Sequence, residues 1–296
     1  MKIVVFDLDG VLVDIDSSWQ LVHRAFGSNN DENFYRFVQG EIDYQEFMRS
    51  DIRLWGKVNI QQIQNILDKA PIMDTAREIV TQLKKAGIKT AIISSGISIL
   101  ADRVKTMLDI DYCYANKLLV DEGGWLTGEG EEKVEMTKKD IILKRLAELE
   151  GVSSKQCVVI GDSEFDVSLF KDAGLSIAFN TQNEAVKRAA DLTIEEKELK
   201  QILPWILSTN LLKTNSSIEY GSIQEAHAVA TSVSPDNLKL PAGLFVKSWS
   251  EDKTVKIKIT CIKNVETLLA TLDDLLSCIQ VAEGAIKISK QTFFKE

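Results

Sequence analysis

Histidine is nearly missing from this chain. Its 296 residues hold two, His23 and His227, and no two of its four cysteines (Cys113, Cys157, Cys261 and Cys278) stand in a CxxC spacing. Zinc sites draw on clustered nitrogen and sulfur ligands, and disulfide frameworks on paired, regularly spaced cysteines. Neither is expected here. The cysteines read as reduced, mostly buried thiols, the usual state in the cytoplasm. No apolar run reaches the length of a membrane span, and no signal peptide is expected ahead of the start. Basic charge is short as well. Thirty-five Lys and Arg stand against 44 Asp and Glu, for a formal net charge of -9, which argues against direct nucleic-acid contact. The shortage is uneven: after Asn210 there are ten Lys, no Arg and ten acidic residues, so the acid excess lies in the first part.

What is present is organised around residues 1–14, MKIVVFDLDGVLVD. Ile3, Val4, Val5 and Phe6 form a short apolar run that reads as a buried strand. Asp7 falls where this strand should end, Asp9 follows, and Gly10 permits a sharp turn. In open parallel sheets ligands bind beyond the carboxyl ends of strands. A carboxylate pair there is costly to desolvate unless a cation or a reaction partner offsets the cost.

The chain then alternates. Apolar residues at helical spacing run from Ile15 to about Pro71, among them Trp19, Val22, Phe26, Phe47, Met48, Ile52, Ile63 and Leu67; most should form a small core of their own. Thr75 to Ala86 reads as an amphipathic helix closed by Gly87. A second buried strand, Ile88 to Ile93, runs into Ser94-Ser95-Gly96 and a helix from about Ile97. A strand-end hydroxyl followed by helix N–H groups can hold a phosphate oxygen. Residues 113–130 read as a hairpin around Asp121-Glu122-Gly123-Gly124. A helix is expected over 133–150, with Lys138 and Lys139 in its first turn. Lysines there oppose the helix dipole, a mismatch that is tolerable if one ammonium faces an acidic site. A third buried strand, Cys157 to Ile160, precedes Gly161-Asp162-Ser163-Glu164-Phe165-Asp166. Strands at 173–178 and, as an edge, 191–194 follow.

These stretches, hhhhDxDGV, the Ser94 strand end, the lysine helix and GDxxxD, occur in the order of the four motifs of the haloacid dehalogenase superfamily, which the chain resembles over residues 1 to about 207. The phosphoserine phosphatases are the most similar branch, through TKKDIILKRLAELEGV and VVIGDSEFDVSLFKDAGLSIAFN. The resemblance implies an α/β fold: a doubly wound parallel sheet with an inserted helical cap. It implies Asp7 as nucleophile, Asp9 as general acid/base, and Ser94, Ser95 and Lys139 (Lys138 as fallback) around the phosphate. Mg²⁺ would be held by Asp7, Asp9, Asp162 and Asp166. The boundaries are 1–14 with 76–207 for the core, 15–75 for the cap and 208–217 for a linker. The substrate is expected to be a small phosphorylated metabolite. The chain departs from the phosphoserine phosphatases at Ser95, where they carry Gly, and at Phe165, where they carry Asn. In the cap, Asp16 stands at the position of a substrate-binding Glu and Asp51 at that of an Arg, with Arg49 and Arg53 beside it. Asp cannot form the bidentate carboxylate clamp of Arg, so Asp16, Arg49, Arg53 and Phe165 are the candidates for altered specificity.

Residues 218–296 form a second unit, with a βαββα pattern predicted from a short strand near 217–220, a helix at 223–232, strands at 245–249 and 254–261, and a long helix from Val265 to about Ile288. EAHAVATSVSPDN and ETLLATLDDLLSCIQVAE resemble the small dimerising subunit of the KEOPS tRNA-modifying complex. That resemblance implies a homodimer and a possible kinase-like partner. The leading expectation is a Mg²⁺-dependent phosphomonoesterase dimerised by its tail. The alternative is an assembly or regulatory component of a KEOPS-type complex. A phosphomutase or a dehalogenase fits the DxD pair less well.

Overall fold

Strand β1 (Ile3–Phe6) is buried along its whole length, which explains why successive residues, pointing to opposite faces, are all apolar. It is the central strand of a seven-stranded sheet in a computed structural model that describes residues 1–234 and 240–293. After β1 come four helices, α1 (Ser18–Phe26), α2 (Asp31–Val38), α3 (Tyr44–Leu54) and α4 (Ile60–Leu67), which occupy the segment where a helical cap is expected. The chain leaves and returns through paired segments: the Asp14 amide donates to the Pro71 carbonyl, and the Met73 amide to that of Leu12, each at 2.8 Å.

The core continues with α5 (Ala76–Lys85), β2 (Lys89–Ile97), α6 (Ser98–Leu108), β3 (Tyr112–Val120), β4 (Leu126–Glu131), α7 (Lys139–Leu149), β5 (Cys157–Gly161), α8 (Val167–Asp172), β6 (Leu175–Phe179), α9 (Glu184–Ala189) and β7 (Leu192–Ile194). The strand order is β4-β3-β2-β1-β5-β6-β7. All neighbours are parallel except the β3–β4 hairpin. Ile3, Val5, Ala91, Ile93 and Val159 turn one face of the sheet toward Ile142, Leu143 and Leu146 of α7 and Leu169 and Phe170 of α8. On the other face α5 and α6 cover β2 and β3. The chain winds outward from β1 in both directions, so the carboxyl ends of β1, β2 and β5 meet at the point where ligands bind in such sheets.

Two local expectations change. β2 runs on to Ile97, so Ser94 to Gly96 lie within it. α7 begins only at Lys139, six residues late. The side chain of Asn116 takes the amide protons of Lys133 and Val134 at 2.8 and 2.9 Å, and these bonds hold the segment outside a helix.

The chain divides into two compact units, Met1–Leu203 and Pro204–Glu296, with the short helix α10 (Leu203–Leu207) at the division. The second unit contains β8 (Leu212–Glu219), α11 (Ile223–Val233), β9 (Leu244–Glu251), β10 (Thr254–Cys261) and α12 (Val265–Phe293). Its antiparallel order is β8-β10-β9, giving the βαββα pattern. The linker over 208–217 is corrected. Residues 212–217 belong to β8, which pairs with β10 along its full length. Its polar composition reads as linker, but Leu212, Thr214, Ser216 and Ile218 alternate with more exposed residues, and ladder hydrogen bonds use the backbone alone. In the SPDN segment, Pro235, Asp236 and Asn237 lie outside the described residues.

Candidate active site

The site grows from three strand ends. Asp7 follows β1, its amide donating to the Ile160 carbonyl at 2.9 Å, which fixes it beside the end of β5. Its Oδ1 accepts from the Leu8 amide at 2.7 Å. Lys139 lies at the start of α7 with its ammonium 2.9 Å from Asp7 Oδ2 and 2.8 Å from Asp166 Oδ1. All three side chains are buried. Lys138, by contrast, is solvent-exposed and pairs with Glu135, so Lys139 is the lysine that faces the carboxylates. Burial alone would push the Lys139 ammonium toward neutrality. The Asp166 and Asp7 carboxylates more than offset this and hold its pKa above the ordinary value.

Carboxylate oxygens of Asp7, Asp162 and Asp166 lie within 4.8 Å of one another. Both oxygens of Asp166 are engaged: Oδ1 by Lys139, and Oδ2 by the amides of Asp162 and Ser163 and the Ser163 hydroxyl, at 2.9 to 3.1 Å. The Asp162 carboxylate accepts no such bond among the described residues. Burial first, then repulsion from Asp166, raises Asp7 to about 7 against the opposing pull of Lys139. Burial, with Asp166 and Asp7 adding to it, raises Asp162 to about 8. This crowding of negative charge suits a divalent cation with oxygen ligands. Gly10 shapes the same corner. Its φ is +78°, and a Cβ there would lie 2.3 Å from Asp162 Oδ2, so only glycine fits.

Asp9 sits across from this cluster. Its Oδ2 accepts from the Ser18 amide at 2.6 Å and the Ser18 hydroxyl at 2.8 Å. Its Oδ1 is buried with no hydrogen-bond partner among the described residues. Burial raises the Asp9 pKa, with the Ser18 bonds opposing. Ser94 is buried and its hydroxyl oxygen accepts from the Gly96 amide at 3.0 Å. Ser95 enters through its backbone: its carbonyl accepts from Trp19 Nε1, the Tyr44 hydroxyl and Asn116 Nδ2, at 3.1, 3.2 and 2.9 Å.

The cap candidates disperse. Asp16 is solvent-exposed and pairs loosely with Arg24 at 3.6 Å. Arg49 is bound to Glu129 at 2.7 Å and Glu46 at 2.5 Å, and Arg53 to Glu129 at 3.0 Å. These arginines tie α3 to the β4 hairpin strand. Asp51 is buried and accepts from Asn30 and Asn33 at 2.6 and 3.0 Å, with His23 Nε2 at 3.3 Å. Trp55 Nε1, a donor only, lies 3.0 Å from His23 Nδ1. Nδ1 is therefore the acceptor and Nε2 carries the proton toward Asp51. Phe165 meets Phe34 of the cap edge to face at 6.4 Å. Ser18, Asn116, Tyr44 and Phe34 were not legible as site residues. The Ser17-Ser18 pair just before an apolar-periodic run was the one available signal, a helix start placed beside the DxD loop.

Residues 1–174 match the model of the haloacid dehalogenase-like hydrolases. A phosphoserine phosphatase of Methanocaldococcus jannaschii is 30% identical over 207 residues, 69% of this chain and 97% of that protein. One from Archaeoglobus fulgidus is 32% identical over 67% of this chain and 58% of its own length. A solved phospho-aspartyl intermediate analogue of phosphoserine phosphatase superposes with a TM-score of 0.61 at 30% identity, covering 69% of this chain and 98% of that one. The chain belongs to the haloacid dehalogenase-like hydrolases. Within that family it is a phosphatase.

Proposed function

We propose that the chain hydrolyses small phosphomonoesters with Mg²⁺, through an aspartyl-phosphate formed on Asp7. The observation that carries this reading is the buried Asp7–Lys139–Asp166 triad beside the unpaired Asp162 carboxylate. Asp7 Oδ attacks phosphorus and the ester oxygen leaves. Asp9, with a raised pKa, protonates the departing ester oxygen and then takes a proton from the water that attacks phosphorus, as the Asp7 Oδ–P bond breaks and releases phosphate. Lys139 and the Ser94 hydroxyl neutralise the phosphoryl oxygens as charge develops. Asp7, Asp162 and the backbone carbonyl of Asp9 would hold the Mg²⁺, while Asp166 positions Lys139 and the Asp162 loop. Bound there, the ion supplies the positive charge that keeps Asp7 and Asp162 ionised and screens the phosphate. The likeness to phosphoserine phosphatases supports this chemistry. The test is Asp7→Asn, assayed for phosphate release with Mg²⁺ and with EDTA alongside the unaltered chain. Loss of turnover in a folded variant is expected. Surviving activity would remove Asp7 as nucleophile.

For the second unit we propose a homodimer. Val265, Leu269, Val281 and Ile288 of α12 are more than half exposed, a large apolar presence for a soluble helix, and the unit is small for a self-sufficient core. Sedimentation of the full chain and of Leu269→Lys with Val281→Lys tests this, and a monomeric unaltered chain would refute it. A KEOPS-type kinase-like partner is the second reading, resting on the sequence resemblance of this unit, and co-purification with that subunit tests it.

A further inference from the structure

We propose that the phosphomonoester taken by this site carries an apolar, uncharged alcohol, and that Phe34 and Phe165 select it. The inference rests on the phosphomonoesterase reading and names its substrate class. Phe165 lies in the loop that carries Asp162 and Asp166, two of the three clustered carboxylates. Phe34 of α2 meets it edge to face, with an interplanar angle of 89°. From there an aromatic row continues through Phe47 and Phe37 to Tyr44, with centroid separations of 5.2 to 6.1 Å. Tyr44 in turn donates to the Ser95 carbonyl, next to Ser94. The row therefore runs from the Asp162–Asp166 loop to the Ser95 carbonyl. None of the α2 residues is buried, so its rings keep surface to offer a ligand.

Among the cap's cations, Lys57 lies over the Trp125 ring at 5.0 Å from its centroid. Each of the cap's arginines is already bound to a carboxylate: Arg24 to Asp16, Arg36 to Glu41, Arg49 to Glu46 and Glu129, and Arg53 to Glu129. Asp51 is spent on anchoring α2 through Asn30 and Asn33. A zwitterionic alcohol such as serine would set its carboxylate against aromatic rings, which is unfavourable unless a cation replaces its water. An apolar alcohol buries surface against the same rings.

Full-length protein with Mg²⁺ would be assayed for phosphate release from benzyl phosphate, O-phospho-L-serine and glycerol 3-phosphate. All three have alkyl leaving oxygens, so binding rather than intrinsic reactivity separates them. The expected kcat/KM for benzyl phosphate exceeds the others by about tenfold or more. In Phe34→Ala and Phe165→Asn the ratio of benzyl to glycerol ester falls about tenfold, mainly through KM. A preference for phosphoserine, or an unchanged ratio in both variants, would overturn the inference and leave the phosphatase reading standing. Release from none of the three would overturn both.

Discussion

Ser18 holds Asp9 by two bonds to one oxygen, the amide at 2.6 Å and the hydroxyl at 2.8 Å, and leaves the other oxygen buried with no hydrogen-bond partner among the described residues. The same hydroxyl accepts from the Ile97 amide at 3.1 Å. One serine thus sets the orientation of the Asp9 carboxylate and joins it to the end of β2. Ser18→Ala keeps the amide bond and loses the hydroxyl. A hydrogen bond to a charged acceptor is worth roughly 1.5 to 3 kcal/mol, so kcat is expected to fall about tenfold or more. Because the lost bond favours ionised Asp9, its pKa rises further, and the limb of the kcat–pH profile that Asp9 sets moves to higher pH. An unmoved limb in that profile would count against Asp9 as the titrating acid.

Lys139 neutralises two buried carboxylates at once. Lys139→Met would leave Asp7 and Asp166 facing each other without compensation. Removing one partner of a buried pair costs about 3 to 5 kcal/mol, and the urea midpoint should fall accordingly. Lys139→Arg is expected to restore much of the stability and little of the turnover, since the planar guanidinium does not fit a site built for a point charge.

Metal-free stability should depend on pH with a definite sign. Asp7 and Asp162 have ordinary values of 3.8 and are raised to about 7 and about 8 in the folded chain. The folded state therefore holds their protons longer than the unfolded state. Their contribution is fully present below pH 3.8 and is lost as pH rises through 7 and 8. Added Mg²⁺ replaces those protons, so its stabilising shift in Tm grows over the same range. Thermal melts from pH 5 to 8.5, with and without Mg²⁺, measure this. Asp162→Asn should flatten both trends.

Gly10→Ala places a methyl group where the Asp162 carboxylate lies and asks a non-glycine residue to hold φ +78°. The backbone term alone is about 1 to 2 kcal/mol. The displaced carboxylate should weaken Mg²⁺ binding more than it weakens the fold. Calorimetric titration of Mg²⁺ and a urea melt of the same sample separate the two effects.

Arg53→Ala should leave KM within about twofold. Its guanidinium is more exposed than buried and bound to Glu129, and such pairs contribute little. A large rise in KM would restore Arg53 as a substrate contact.

The sequence by itself determined the sheet and its chemistry. β1 and β5 are short apolar runs leading into Asp7 and Asp162, β2 carries Ser94 within it, and the strands of a parallel sheet end on the same side whatever the details of packing. The cap insertion and the βαββα tail were legible for the same reason, from periodicity and turn residues. Only the tertiary structure decided which lysine enters the site, because Lys138 and Lys139 are adjacent in sequence and face different ways once α7 begins at Lys139. It alone showed that Asp51 anchors α2, that Arg49 and Arg53 are bound to Glu129, and that residues 212–217 form an edge strand. Each of these depends on a partner distant in the chain, and neither propensity nor spacing carries information about such a partner. The pairing of Phe34 with Phe165, 131 residues apart, belongs to the same class.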